Sequence, residues 1–358
     1  MVEMNNDHIV EPFDPTKIDV DIANVNLGSL LDQLENNEID LAPDFQRSSD
    51  IWDKTKKSRL IESILLGLPL PSFYFDEDPN TGKLSIIDGL QRICALKDFV
   101  FNKDKPLRLE NLQFLEEYNG LSYEELSRPD IRRINSLKIT INTLRKSTPP
   151  KVKYILFQRV NTSGVPLVPQ EMRHALNQGI AAHFIKQLSK EEAFRRATCY
   201  SIHSKRMEDC DFANRFVAFY LGISDYYGDL DSFMNDRMGS LNTMPPEQLM
   251  DIRNAFVASM KTCYMIFEHD TFRRRKNTYD RRRPISKAVF DSLSVNVAWL
   301  TSEERKLLVS RRSLFKEEMV KLFNDKKFDS AISTGTATKY SVNMRFDMIK
   351  QIIKSTLL

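Results

Sequence analysis

The run Ser85-Ile86-Ile87-Asp88-Gly89-Leu90-Gln91-Arg92-Ile93-Cys94-Ala95-Leu96 leaves the chain few ways to fold. Its first half is an apolar stretch of strand length, its second half has helical spacing, and Asp88-Gly89 is all that separates them. A strand that turns so quickly into a helix puts the helix start at the sheet edge. Unpaired N–H groups and the positive end of the helix dipole collect there. Gly89 lets a ligand approach the backbone, and Arg92 in the first turn can grip a phosphate with two hydrogen bonds. The same residues also allow a plainer arrangement, in which Asp88 caps the helix, Gln91 completes a capping box and Arg92 is solvated.

A second Gln-Arg pair lies upstream in Pro43-Asp44-Phe45-Gln46-Arg47, followed by Trp52. The run from Asp53 to Gly67 predicts a helix, with Leu60, Ile61, Ile64 and Leu65 on one face, Asp53 as its cap and Gly67 as its stop. Lys54, Lys56, Lys57 and Arg59 occupy the other face, either as a solvated surface or as a rim that attracts polyphosphate. Leu68-Pro69-Leu70-Pro71 then ends the helical stretch. Phe73 to Phe75 and Leu84 to Ile87 predict strands joined by a hairpin turn in Asp78 to Gly82, and Leu137 to Asn142 alternates as a further strand. The expected result is a small mixed sheet with flanking helices, preceded by a helix from Ser29 to Leu34 and a polar, loosely held arm over residues 1–23.

After Ser147-Thr148-Pro149-Pro150 the pattern turns helical. Helices are expected over 152–160, 169–177, 212–221, 248–267, 287–300, 303–323 and 343–353, with Met250, Met260 and Met265 as core filling. The 358 residues suit two domains, and 41% hydrophobic content is enough for two cores. The fold class is therefore α+β, divided into an arm (1–23), a sheet-containing domain (24–146) and a mainly α-helical domain (147–358). Cys94, Cys199, Cys210 and Cys263 are far apart, which predicts reduced thiols in a cytoplasmic protein. No apolar run approaches membrane-spanning length.

Taken in order, P-x-F-Q-R, then W, then L-I-E-S-I-L-L-G-L-P-L-P, then I-D-G-x-Q-R resembles the N-terminal domain of the GmrSD-type restriction family, which is grouped with ParB-like domains. The family's central motif reads D-G-Q-Q-R, and here Leu90 stands in its third position. Phe157-Gln158-Arg159-Val160-Asn161-Thr162-Ser163-Gly164, with Glu171 and Arg173 beyond it, resembles a second family block. Arg283 to Ala288 and Arg345-Phe346 resemble weaker landmarks downstream. The likeness is specific over about residues 24–180. It implies a ParB-like domain that binds, and in some members hydrolyses, a nucleoside triphosphate with Mg²⁺ to control DNA restriction. On that reading Asp88, Gln91 and Arg92 form the catalytic set and Asp88 also holds the metal. Gln46, Arg47, Gly89, Arg159 and Asn161 bind the nucleotide, and a separate nuclease subunit supplies cutting.

The segment from Phe272 to Lys287 concentrates positive charge, although the net charge of the chain is only +3. Arg273, Arg274, Arg275, Arg281, Arg282 and Arg283, with Tyr279 among them, are candidate DNA-phosphate contacts; a solvated loop paired with Asp270 and Asp280 is the alternative. Neither a P-loop nor a clustered His-Asn-His set is present in the sequence. The leading expectation is a nucleotide-dependent regulator or sensor in a bacterial restriction or anti-phage system. The alternatives are a non-enzymatic DNA-binding or scaffold protein and a ParB-like nuclease.

Overall fold

A computed structural model of the chain describes residues 18–40, 52–78, 82–149, 168–277, 279 and 281–358, with residues 152, 153, 155, 156 and 159 between the larger segments. The chain divides into two compact units, Phe13–Leu167 and Val168–Leu358.

The first unit is built on five strands: β1 (Val20–Asn26), β2 (Ile39–Asp40), β3 (Phe73–Glu77), β4 (Leu84–Asp88) and β5 (Lys138–Leu144). They lie in the order β1-β5-β3-β4-β2. The β1/β5 and β3/β4 pairs are antiparallel, while β3/β5 and β2/β4 are parallel, so the sheet is mixed as expected. Among the described residues it is accompanied by the helices α1 (Leu27–Glu35), α2 (Lys54–Leu65), α3 (Leu90–Val100) and α4 (Arg128–Ser136). Phe73, Phe75, Ile139 and Ile141 supply the sheet side of a core completed by Leu30, Ile61, Ile64, Ile93 and Leu96. Burial of each such side chain stabilises the fold by about 1.5–3 kcal/mol.

Local signals account for α2. Asp53 accepts a hydrogen bond from the Lys56 amide at 2.8 Å, and Gly67 follows the helix at φ +75°. Its cationic face is only partly open to solvent, because Lys57 pairs with Asp98 of α3 at 2.7 Å and Lys54 with Glu110 at 3.0 Å. Glu62, the acid within L-I-E-S-I, is buried. Its Oε1 accepts from the amides of Gln113, Phe114 and Leu115 at 2.8, 2.7 and 3.1 Å. Burial alone would raise the Glu62 pKa, but the three N–H donors win and hold it below the usual value.

Residues 20–23 correct the expectation of a loose arm. They belong to β1, whose polar sequence suits an edge strand and which pairs along its whole length with β5. The chain after β5 is also tied to the sheet. Asp19 donates its amide to Thr148 Oγ1 at 3.1 Å, and Lys153 forms a buried ion pair with Asp76 of β3. The division between units accordingly falls at 167/168, against 146/147 in the sequence reading.

The described part of the second unit is helical: α5 (Pro169–Leu176), α6 (Ile180–Lys190), α7 (Glu192–Ala197), α8 (Glu208–Gly222), α9 (Leu230–Ser240), α10 (Pro246–Phe267), α11 (Lys287–Ala298), α12 (Ser302–Ser310), α13 (Arg312–Asn324), α14 (Lys326–Ser333) and α15 (Lys339–Leu357). Every residue of α11 from Ala288 to Ala298 is buried, which makes it the central helix. Its polar groups therefore need partners: Asn296 donates to the carbonyls of Ser292 and Phe346 at 2.8 and 3.1 Å, and Asp291 binds two arginines.

Two expectations fail in this unit. Met260 is fully buried, but Met250 and Met265 are about half exposed, at 52% and 47%, on the outer face of α10. The single helix expected over 303–323 is two helices meeting at Arg311, whose guanidinium donates to the Thr356 carbonyl at 2.7 Å. No Gly or Pro marks that break, so the local pattern runs straight through it.

Candidate functional site

The predicted strand-turn-helix is present as β4, Gly89 and α3. Gly89 sits at φ +101°, in the left-handed region, and is itself the N-cap residue. The N-cap position falls on a glycine, which has no side chain to cap with, so the capping box expected from Asp88 and Gln91 does not form. Gln91 instead uses its Oε1 to accept the Trp52 amide at 3.3 Å. Glycine is required here for space as well as conformation: a Cβ at this position would lie 2.6 Å from Cδ1 of Phe73.

Asp88 and Arg92 face each other across the turn. Arg92 Nη2 donates to Asp88 Oδ2 at 2.9 Å, and their side chains are only 9% and 13% exposed, respectively. The remaining reach of the guanidinium goes to the main chain, with Nη1 donating to the Pro71 carbonyl and Nη2 to the Ser72 carbonyl at 3.1 Å. Its carbon lies 4.4 Å from the Phe73 ring centroid. The L-P-L-P stretch thus acquires a physical role: it presents two carbonyls to the arginine of the next motif. Burial raises the Asp88 pKa above the usual carboxylate range, opposed by the Arg92 charge and the Gly89 amide. Burial likewise lowers the Arg92 pKa, opposed by Asp88.

These partners redefine what each group presents to a ligand. The donors of Arg92 that would suit a phosphate are directed at Asp88 and two carbonyls. The start of α3 adds the positive end of a helix dipole to this turn, and the Asp88 carboxylate beside it accepts from the Gly89 amide. Phe73, Pro71 and Ser72 had no signal in the sequence, since nothing local to Arg92 points 20 residues upstream. Trp52, noted only as a landmark, is drawn to Gln91 through its backbone.

The other candidates are dispersed. Gln46, Arg47 and Asn161 lie outside the described residues, as do Asp44 and most of the second family block. Arg159 is exposed on a helical stretch of the first unit. Glu171 and Arg173 belong to α5 in the second unit and do not pair with each other. Glu171 accepts the Val168 amide at 3.0 Å and pairs with Arg206 at 2.9 Å, while Arg173 pairs with Asp211 and Asp231 at 2.8 and 2.7 Å.

The basic segment separates into two groups. Arg273 donates to the Arg283 carbonyl and to Ser201 Oγ, Arg274 pairs with Asp329, and Arg275 pairs with Asp270 at 2.8 Å. These three hold the segment to its own unit. Arg281, Arg282 and Arg283 are exposed, and Tyr279 is 95% exposed beside them. Among the described residues no group of three or more His, Cys, Asp or Glu side chains is arranged to hold a metal ion, and no helix is long and apolar enough to cross a membrane. All four cysteines are free thiols.

Residues 27–177 match the family model of the GmrSD restriction endonuclease, N-terminal domain. The match agrees with the resemblance drawn from the motifs of that stretch. The match begins at α1, takes in the α3 turn and runs through α5. No curated protein matches the chain.

Proposed function

We propose that this protein is a nucleotide-binding component of a DNA restriction or defence system, with the phosphates of a nucleoside triphosphate held at the start of α3. One observation carries the reading: an eleven-residue helix begins at a left-handed glycine, which offers no capping side chain, next to a largely buried carboxylate. Backbone amides and the helix dipole favour an anion there. Arg92 acts as the positioning residue that fixes the turn and orients Asp88. Mg²⁺ commonly takes one or two carboxylates together with substrate phosphates and water. Asp88 fits the carboxylate role, and the ion would neutralise phosphate charge. Slow Mg²⁺-dependent hydrolysis is the enzymatic form of this reading, and a separate nuclease would be its effector.

Isothermal titration of the full chain with ATP, GTP and CTP in the presence of Mg²⁺ tests it, with Asp88→Asn run alongside. The asparagine keeps an acceptor for Arg92 and removes the charge offered to the metal. The expected result is saturable binding of at least one triphosphate, weakened by about tenfold or more in the variant, equivalent to about 1.4 kcal/mol. Absence of binding by folded wild-type protein would defeat the reading.

A second reading, DNA binding without hydrolysis, is favoured by Arg281, Arg282, Arg283 and Tyr279, exposed together. Neutralising the three arginines would then flatten the salt dependence of DNA binding, because fewer counterions are released. An unchanged salt slope would place the DNA contact elsewhere.

A further inference from the structure

The second unit contains a cleft of about 530 Å³, within the size range of small-molecule sites. Its lining brings together four separate stretches of sequence: the start of α5, the segment from His203 into α8, Asp231 and Met234 of α9, and Lys287 at the start of α11. Five cationic side chains line it against three carboxylates.

The ion pairs separate the framework of the cleft from the groups offered to a ligand. Arg173, 1% exposed, spends its guanidinium on Asp211, Asp231 and Gln170 Oε1. Arg215 is bound to Asp291 through two hydrogen bonds of 2.8 and 2.6 Å. These two arginines are wall. Asp211 is held among Arg215, Arg173 and Lys287, which keep its pKa below the usual value against the effect of burial. It therefore stays ionised and occupied. Lys205, Arg206 and Lys287 are the cations with exposed side chains: Lys205 makes no ion pair among the described residues, Arg206 is 26% exposed beside Glu171, and Lys287 is 46% exposed beside Asp211. Glu208 is the acid that opposes them on the α8 side.

Apolar surface from Val168, Pro169 and Met234 completes the lining. The backbone also carries strain at this point. Arg206 and Met207 are consecutive non-glycine residues in the left-handed region, at φ +57° and +55°. Such residues cost about 1–3 kcal/mol each and persist where the surrounding structure holds them, commonly at ligand sites. Here the conformation carries Arg206 to the cleft and starts α8 immediately after it.

We propose that this cleft binds a small phosphorylated molecule, its phosphate among Lys205, Arg206 and Lys287 and its less polar body against Val168, Pro169 and Met234. The site is separate from the turn before α3 and does not depend on it. Three cations, two from the turn before α8 and one from the start of α11, suit a multiply charged oxyanion better than a single carboxylate, since each phosphate oxygen can accept from a different donor. The apolar wall suits a base or an aliphatic chain attached to that phosphate.

The test is calorimetric titration of the full chain with AMP and with inorganic phosphate, without Mg²⁺, on wild type, on Asp88→Asn and on the double variant Lys205→Gln/Lys287→Gln. Both lysines are solvent-exposed, and melting curves check that the double variant stays folded. The expected result is saturable AMP binding, tighter than that of phosphate, unchanged in Asp88→Asn and weakened by about tenfold or more in the double variant. Absence of saturable binding, equal affinity in the double variant, or loss confined to Asp88→Asn would each overturn the proposal. Triphosphate binding at the α3 turn is measured separately with Mg²⁺, so either site can fail without the other.

Discussion

Each unit buries an Asp–Arg pair, and the two pairs are enclosed differently. In the first, Asp88 meets one arginine beside a helix start that no side chain caps, and the spare donors of Arg92 go to carbonyls. In the second, Asp291 lies on the central helix with no exposed surface and is shared by Arg215 and Arg345. There the costs of burial fall on all three groups, and only Arg215 reaches the edge of a cleft. Burial lowers the Arg345 pKa, whereas Arg215 is raised because the Asp291 charge outweighs its own burial. The contrast separates an ion pair that holds a core together from one that sits at the edge of a core and fixes the geometry of a turn.

The largest effect is expected from removing the acid at the centre of the Asp291 cluster. Asp291→Ala leaves two buried guanidinium groups without their counter-charge, and urea denaturation should register a loss of about 4–5 kcal/mol. A loss under about 1 kcal/mol would mean that water reaches the cluster. Arg92→Ala comes next. It leaves the Asp88 carboxylate partly buried and unpaired but close to solvent, so a smaller loss of about 3 kcal/mol is expected in the same measurement. If Arg92→Ala proved the more damaging, the distinction between core and edge would be reversed.

The smallest effect, about 2 kcal/mol over the window from pH 7 to 5, comes from titration. His174 is buried on α5, and burial lowers its pKa from 6.5 to about 4. The unfolded chain therefore takes up a proton that the folded one refuses between those values. Its contribution to stability is complete above pH 6.5, falls by up to about 1.4 kcal/mol per unit as pH drops, and levels off below about 4. Asp88, with its raised pKa, acts in the opposite sense, since its destabilising charge is lost as the pH falls. Melting curves between pH 7 and 5 should show the His174 slope in wild type and its removal in His174→Gln. Identical slopes would show that the imidazole is not held neutral.

What could be read from the sequence follows how locally each feature is determined. The α2 cap at Asp53 and the passage from β4 into α3 depend on residues within a few positions of one another, and both are found where expected. The strand β1 is not legible locally because VDIANVN has the pattern of an edge: Ile22 is 66% exposed, and the strand's partner lies more than a hundred residues along the chain. At the candidate site, Asp88, Gly89, Gln91 and Arg92 were legible as a group because they adjoin in sequence. The direction of the Arg92 side chain was not, because Pro71, Ser72 and Phe73 reach it through the fold. Met250 and Met265 mark the same limit from the other side: their spacing fits a buried stripe, but which side of α10 meets its neighbours is decided by packing.

The contact between Gly89 and the Phe73 ring has a consequence for how this chain can change over generations. The two positions form a lock with a single key: even the lightest addition at 89 collides with an aromatic ring that is itself wedged under Arg92. A smaller residue at 73 would open the space but strip the arginine of its support. A change at either position therefore calls for a matching change at the other, whereas Leu90, which lies next to the turn, is not bound by this clash.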